Sequence, residues 1–380
     1  QLLLYRALDA ADRGVKVRIL LDDIYHSGRD TIYQALDSHP NMEFRVYNPM
    51  GSRGTGKTAN YVYHKGALNH RMHNKIFLAD SAVAVLGGRN IGDDYFGDDA
   101  TQNFRDIDVL AIGPAAREAG KAFDMYWNSP AAVPIGVLIN KPVEEDSLDT
   151  FREQLRADLD REHALPYTVP REEHEIRATL KQLARELIWA ETEIIVDPLD
   201  RFEGGSESAF VELTNRLAKE MEREIVIETA YLIPADEGIA NIKELTDRGV
   251  RVRILTNSLR SNNHTTVHAH YKKYRKAMIE AGAELHELRP DPAILAQLEQ
   301  ESKRAVGSRA GLHSKAFVVD RRLSMIGSYN MDPRSRIWNS EIGLLVDSEP
   351  FADRVLEVMN RQFEPSSAYR VELDERGKLR

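Results

Sequence analysis

The sequence predicts an α/β protein of two similar halves, and three observations carry that expectation. First, residues 72–93 (MHNKIFLADSAVAVLGGRNIGD) return some 240 positions later as residues 312–332, LHSKAFVVDRRLSMIGSYNMD. In the first copy His73 precedes Lys75 by two residues, Asp80 by seven and Asn90 by seventeen; His313 precedes Lys315, Asp320 and Asn330 by the same intervals. Second, DRGVKVRIL at 12–20 returns as DRGVRVRIL at 247–255. In both copies a helix stops at the glycine and a strand of alternating Val and Lys or Arg follows, the period-two pattern of a half-buried strand. Third, strands alternate with helices through both halves, as expected for mixed or largely parallel sheets covered by helices.

At 380 residues the chain exceeds one ordinary core and suits two domains, divided here as 1–165 and 166–380. Its 42% hydrophobic and 29% charged residues describe a soluble globular protein, and the absence of cysteine excludes disulfides and thiolate metal sites. A net charge of −9 argues against a general binder of nucleic acid, which must neutralise phosphates. No apolar run approaches the roughly 18 residues of a membrane-spanning helix. QLLLYRALDAADRG reads as the body of a helix with no start signal, so the sequence is expected to be a fragment or processed form, with any signal or anchor upstream.

In order along the chain, a helix is expected at 31–36 and a strand at 43–47. The Gly/Ser/Lys run 51–57 (GSRGTGK) lacks phosphate-loop spacing and reads as a surface loop. Residues 73–86 read strand, turn, strand; 104–112 (FRDIDVLAI) reads as one strand and 115–127 as a helix. Residues 131–139 (AAVPIGVLI) read as a loop packed over the domain junction, with a lipid-facing lip as the alternative. Ser147 can cap a helix with a Leu148, Phe151, Leu155, Leu159 stripe. Pro166 and Pro170 then mark the junction. Helices at 175–189 and 209–222 and strands at 193–196 and 224–230 open the second half. The strand 224–230 has a counterpart that would fall before residue 1.

Side chains two apart on a strand share a face, so each His–Lys pair is delivered to one side by an otherwise apolar strand. One such pair is commonly a structural element; two in identical register with matched asparagines indicate a chemical site. His264, His268 and His270 invite a metal reading, but the spacing and the lack of Cys or paired acids argue against it, so no metal is expected. The basic run 271–276 (YKKYRK) fits a helix face with Tyr271, Tyr274 and Met278 inward and its lysines solvated.

The paired HxK, four residues, Asp pattern resembles the phospholipase D superfamily. GGRNIGDDYF (87–96), FRDIDVL (104–110), TNSLRSNNHTTVHAHYKKYR (256–275), GSYNMDPRS (327–335) and WNSEIGLLV (338–346) resemble bacterial cardiolipin synthases of the C type. The resemblance covers nearly the whole chain. It implies two phospholipase D-type domains related by a pseudo-twofold axis, with one shared active site. It further implies His73 as nucleophile, His313 as general acid/base, and Lys75, Lys315, Asn90 and Asn330 as phosphate ligands. Glu341, and Asp106 in the matching place of the first half, would partner the histidines, while Asp80 and Asp320 would hold the turns. Ser328 would donate a hydroxyl where Gly88 offers only a backbone N–H, and His268 would line the pocket.

The implied activity is phosphatidyl transfer through a phosphohistidine to give cardiolipin, without cofactor or metal. Hydrolysis to phosphatidic acid, phosphodiesterase or nuclease action, and a silent membrane-binding scaffold are the alternatives. Expected partners are phosphatidylglycerol, phosphatidylethanolamine and a membrane surface, not nucleic acid, with any protein partner left open. The implied location is the bacterial cell membrane, reached peripherally or through a segment outside this chain.

Overall fold

The apolar, β-branched runs of each half form the strands the pattern requires. The computed structural model describes residues 2–25, 29–50, 69–139, 142–144, 146–161, 173–203, 205–291 and 307–380. The 51–57 run and the Pro166 and Pro170 breaks lie outside them.

The first half contains β1 (Val17–Asp22), β2 (Met42–Tyr47), β3 (Arg71–Met72), β4 (Ile76–Ala79), β5 (Val83–Gly87), β6 (Gln102–Arg105), β7 (Asp108–Ile112) and β8 (Ala132–Pro134). The second contains β9 (Glu191–Val196), β10 (Glu224–Thr229), β11 (Arg251–Asn257), β12 (Glu284–Leu288), β13 (Arg309–Leu312), β14 (Lys315–Val319), β15 (Leu323–Gly327), β16 (Asn339–Ser340), β17 (Ile342–Asp347) and β18 (Ala368–Val371). In the second half one sheet runs β18-β12-β11-β10-β14-β15-β17-β9. Its centre, β10, is parallel to β11 and antiparallel to β14. The first half has the same order in two pieces, β8-β2-β1 and β4-β5-β7. Among the described residues no first-half strand takes the place of β10.

The expected helices and strands are present with small shifts of boundary, such as Asp30–Asp37 for 31–36 and Pro114–Trp127 for 115–127. Two expectations fail. Residues 104–112 are two strands, β6 and β7, because the chain leaves one ladder and turns at Asp106 before joining another. Residues 131–139 form β8, paired with β2, and one helical turn, Ile135–Leu138, rather than a loop. Ile135 there is fully buried in the first-half core.

Both hairpins that follow the His–Lys strands turn in the same way. Asp80 and Ser81 (φ 53° and 50°) and Asp320 and Arg321 (φ 51° and 59°) are left-handed, and 82 and 322 donate back to 79 and 319. These are two-residue turns with both central φ positive, which suit the strand twist and which Asp tolerates at the first position.

The halves share one core. Ala84, Leu86 and Val109 of the first half join Leu312, Ala316, Ile326, Ile342 and Leu344 of the second in a single buried cluster. The site lies on this shared seam.

Candidate active site

Each histidine follows directly on a short strand that pairs with the other half. β3 runs parallel to β16, and the His73 N–H donates to Ser340 O at 2.9 Å. β13 runs parallel to β6, and the His313 N–H donates to Arg105 O at 2.7 Å. The residue that follows β16 is Glu341 and the one that follows β6 is Asp106. The carboxylates are therefore delivered crosswise: His73 Nδ1 lies 2.7 Å from Glu341 Oε2, and His313 Nδ1 lies 2.8 Å from Asp106 Oδ2. A carboxylate accepts, so Nδ1 of each ring carries the hydrogen and Nε2 is left for chemistry.

Both lysines fold back beside their histidines. Lys75 Nζ donates to His73 O at 2.7 Å; Lys315 Nζ donates to His313 O and sits 2.9 Å from His313 Nδ1. Desolvation lowers Lys75 to about 7 and Lys315 to about 8, with the two carboxylates opposing the shift. His313 is pushed well below the ordinary histidine value by desolvation and by the charges of Lys315 and Lys75. His73 is lowered by desolvation too, with Glu341 pulling the other way. The carboxylates diverge. Desolvation raises Asp106, whereas in Glu341 its upward push is outweighed by His73, Lys75 and the Ser328 hydroxyl, and the group ends lowered.

Several expected roles change in the structure. Ser328 is fully buried and its hydroxyl donates to Glu341 Oε2 at 2.5 Å while accepting the Ile342 N–H, so it braces the carboxylate instead of facing substrate. Gly88 is needed for space: a Cβ there would stand 2.6 Å from Asp106 Oδ1 and 2.9 Å from Lys315 Cδ. Asp320 accepts the backbone N–H groups of Glu222, Arg223 and Glu224, about 16 Å of strand beyond Lys315. Asp80 is exposed on the equivalent turn. Both aspartates are turn residues at a distance from the reacting groups. His268 is buried against Tyr271, its ring centroid 5.5 Å away, on the inner face of the helix Thr265–Tyr271. His264 instead packs on Tyr231, which is itself edge-on to His313. Tyr271 and Met278 are buried and Lys272, Lys273 and Lys276 exposed, but 271–276 is not one helix face: a turn separates the helices Thr265–Tyr271 and Arg275–Glu280. Asn90 Nδ2 donates to the Tyr95 hydroxyl at 2.7 Å, and Tyr95 lies edge-on to His313 at 4.8 Å. The Asn330 side-chain oxygen is buried and makes no hydrogen bond among the described residues.

Residues without a motif also hold the site. Asp22 and Asn257 end the two copies of the VxVRIL strand at the same offset. Asp22 Oδ2 accepts the N–H of Met72, and Asn257 Oδ1 accepts that of Leu312, the residues just before the histidines. Asp197 is fully buried, accepts the Glu341 N–H and pairs with Arg201, which donates to Asn339 O. The repeat itself could have exposed Asp22 and Asn257; Asp197 carries no such signal.

This is the architecture of one site built from two quasi-equivalent halves, and the chain belongs to the phospholipase D superfamily in its cardiolipin synthase branch. The model of the family "Cardiolipin synthase, PLD-like domain" matches residues 2–127 and 215–363, one stretch in each half. The chain is 35% identical over 389 aligned positions to cardiolipin synthase C of Escherichia coli, covering all of this chain and 80% of that protein. It is 29% identical over 360 positions to an uncharacterized protein of Helicobacter pylori, covering 93% and 70%. The fold matches the crystal structure of phosphatidylserine synthase from Haemophilus influenzae with a TM-score of 0.57 at 15% identity, over 97% of this chain and 85% of that one.

Proposed function

We propose that the protein transfers a phosphatidyl group between phospholipid alcohols at a bacterial membrane surface, making cardiolipin from phosphatidylglycerol through a phosphohistidine on His73. The crossed carboxylates are the observation that carries this reading. They leave two Nε2 atoms free beside two lysines in one site. In the first step His73 Nε2 attacks phosphorus, the bond to the head-group oxygen breaks, and His313 Nε2–H gives its proton to the departing alkoxide. In the second, His313 takes the proton of the incoming hydroxyl, the new P–O bond forms and the N–P bond breaks. The anionic phosphate offsets the charges of Lys75 and Lys315 and so raises His313 towards the protonated form that the first step needs. The lysines, recharged by the same contact, hold the non-bridging oxygens.

The assignment of His73 rests on the difference between the rings. Its side chain is 25% exposed against 4% for His313, and its partner Glu341 is the carboxylate held in the ionised form. An ionised partner strengthens the imidazole as a nucleophile. Among the described residues no helix is long and apolar enough to cross a membrane.

The test is to incubate the protein with labelled phosphatidylglycerol in mixed vesicles, with and without phosphatidylethanolamine, and to resolve the products. Cardiolipin, with label trapped on His73 after acid-free quenching, is the expected result. Phosphatidic acid alone would replace transfer by hydrolysis, and cleavage of single-stranded DNA with lipid untouched would replace lipid by nucleic acid.

A further inference from the structure

From the geometry around His313 we infer a polyol subsite, formed by Tyr231, Asn263 and His264, that seats the glycerol head group of the alcohol exchanged at phosphorus. The inference rests on the proposed order of roles. In-line displacement places the departing and incoming oxygens opposite the attacking nitrogen. If His73 attacks, the alcohol enters and leaves beside His313. Two of the rings around His313, Tyr95 and Phe104, are buried and close off their sides at 4.8 and 5.7 Å. Tyr231, edge-on at 6.4 Å, is only partly buried and leads outward to His264, whose ring lies 5.5 Å from its own.

The chemistry of this wall suits neutral hydroxyls. The Tyr231 hydroxyl donates to Asn263 Oδ1 at 2.9 Å, which turns the Asn263 amide nitrogen away with two donors and no partner among the described residues. His264 is exposed, and its two ring nitrogens make no hydrogen bond among the described residues. Partial desolvation keeps its pKa below the ordinary histidine value, so it offers one donor and one acceptor at neutral pH. Two adjacent hydroxyls, each both donor and acceptor, match that set; a simple monohydric alcohol leaves it unused. The loop is also held in place. Asn262 Oδ1 accepts the His264 N–H at 2.8 Å, Ser261 is fully buried, and Gln102 from the first half donates to Ser261 O at 2.7 Å. The residues of this wall are not repeated in the sequence: the aligned stretch of the first half reads His26-Ser27-Gly28-Arg29 in place of Ser261-Asn262-Asn263-His264.

The experiment offers glycerol and ethanol together to the protein on labelled phosphatidylcholine or phosphatidylethanolamine vesicles and measures the ratio of the two transfer products. Both products come from one intermediate, so the ratio reports the second step alone. Wild-type protein should favour glycerol per mole. Asn263→Ala and His264→Ala should each lower the glycerol-to-ethanol ratio about three- to tenfold, the worth of one hydrogen bond. His264→Gln, which keeps a donor and an acceptor, should recover part of it. An unchanged ratio in both alanine variants, with transfer still measurable, overturns the subsite. Wild-type protein that consumes lipid yet gives neither alcohol product instead overturns phosphatidyl transfer itself.

Discussion

The two halves carry the same four polar positions in different surroundings. In the second half, β10 fills the sheet between β11 and β14, and all five residues of β14 are buried. In the first half the sheet is in two pieces and β4 alternates between half-buried and exposed residues, with Phe77 55% exposed. The same His–Lys pair is thus held at two depths. Charge and burial together separate the histidines: desolvation is the largest influence on each, Glu341 opposes it at His73, and the charges of Lys315 and Lys75 add to it at His313, which is lowered further. The carboxylates repeat the contrast, Glu341 lowered and Asp106 raised. An exact duplicate would have given two interchangeable bases. The difference in depth is what the proposed split into a nucleophile and a proton carrier rests on.

The sharpest break of this comparison is to remove one histidine at a time. His73→Ala should abolish turnover, by a factor on the order of 10^6 as for other covalent nucleophiles, and remove the trapped intermediate. His313→Ala should slow turnover by about 10^2- to 10^4-fold while still forming the intermediate from a substrate with a good leaving group. If the intermediate instead persists in His73→Ala and vanishes in His313→Ala, the two roles are exchanged.

The carboxylates come next. Glu341→Gln should cost about 10^4-fold in kcat by losing the tautomer and charge behind the nucleophile, as for other carboxylate–histidine pairs. Asp106→Asn should cost less, about 10^2-fold, since that carboxyl is already pushed towards its neutral form. Equal losses in single-turnover rates would mean that the two pairs are equivalent.

A third contrast lies behind the carboxylates. Gly88→Ala pushes Asp106 and Lys315 from their places and should lower kcat about 10^2-fold with a small change in melting temperature. Ser328→Ala removes a hydrogen bond to an ionised group, worth about 1.5–3 kcal/mol, and should be visible in both kcat and thermal stability. A Gly88→Ala enzyme with full activity would show that the close packing there is relaxed without consequence.

The smallest effect is in pH. kcat/KM follows the free protein, and each lysine binds phosphate only when protonated. With Lys75 near 7 and Lys315 near 8, that charge is present below these values and lost above them. kcat/KM should therefore fall about tenfold between pH 7 and 8, earlier than an ordinary lysine near 10.4 would allow. A fall that begins only near pH 10 would mean that both lysines remain charged in the free site.

Much of this molecule was legible in one dimension. The register of His, Lys, Asp and Asn in both copies is plain in the repeat, and the shared face of each His–Lys pair and the positions of the helices and strands that open each half follow from local periods of 2 and 3.6 residues. The matching of Asp106 with Glu341 also follows from the repeat. Which histidine each one serves does not. That pairing depends on β3 meeting β16 and β13 meeting β6, ribbons joined across more than 200 residues, and a strand's own sequence does not name its partner. The same reason accounts for the corrected roles. Ser328, Gly88 and His268 read as polar or open positions near a motif, and only packing turns the first towards Glu341, crowds the second with Asp106 and Lys315, and sets the third against Tyr271 behind His264. The sequence by itself determined which residues are the candidates for the chemistry. Tertiary structure decided how deeply each is buried and what touches it, and because burial and contact set a group's charge, it underlies the division of labour proposed for two otherwise identical motifs.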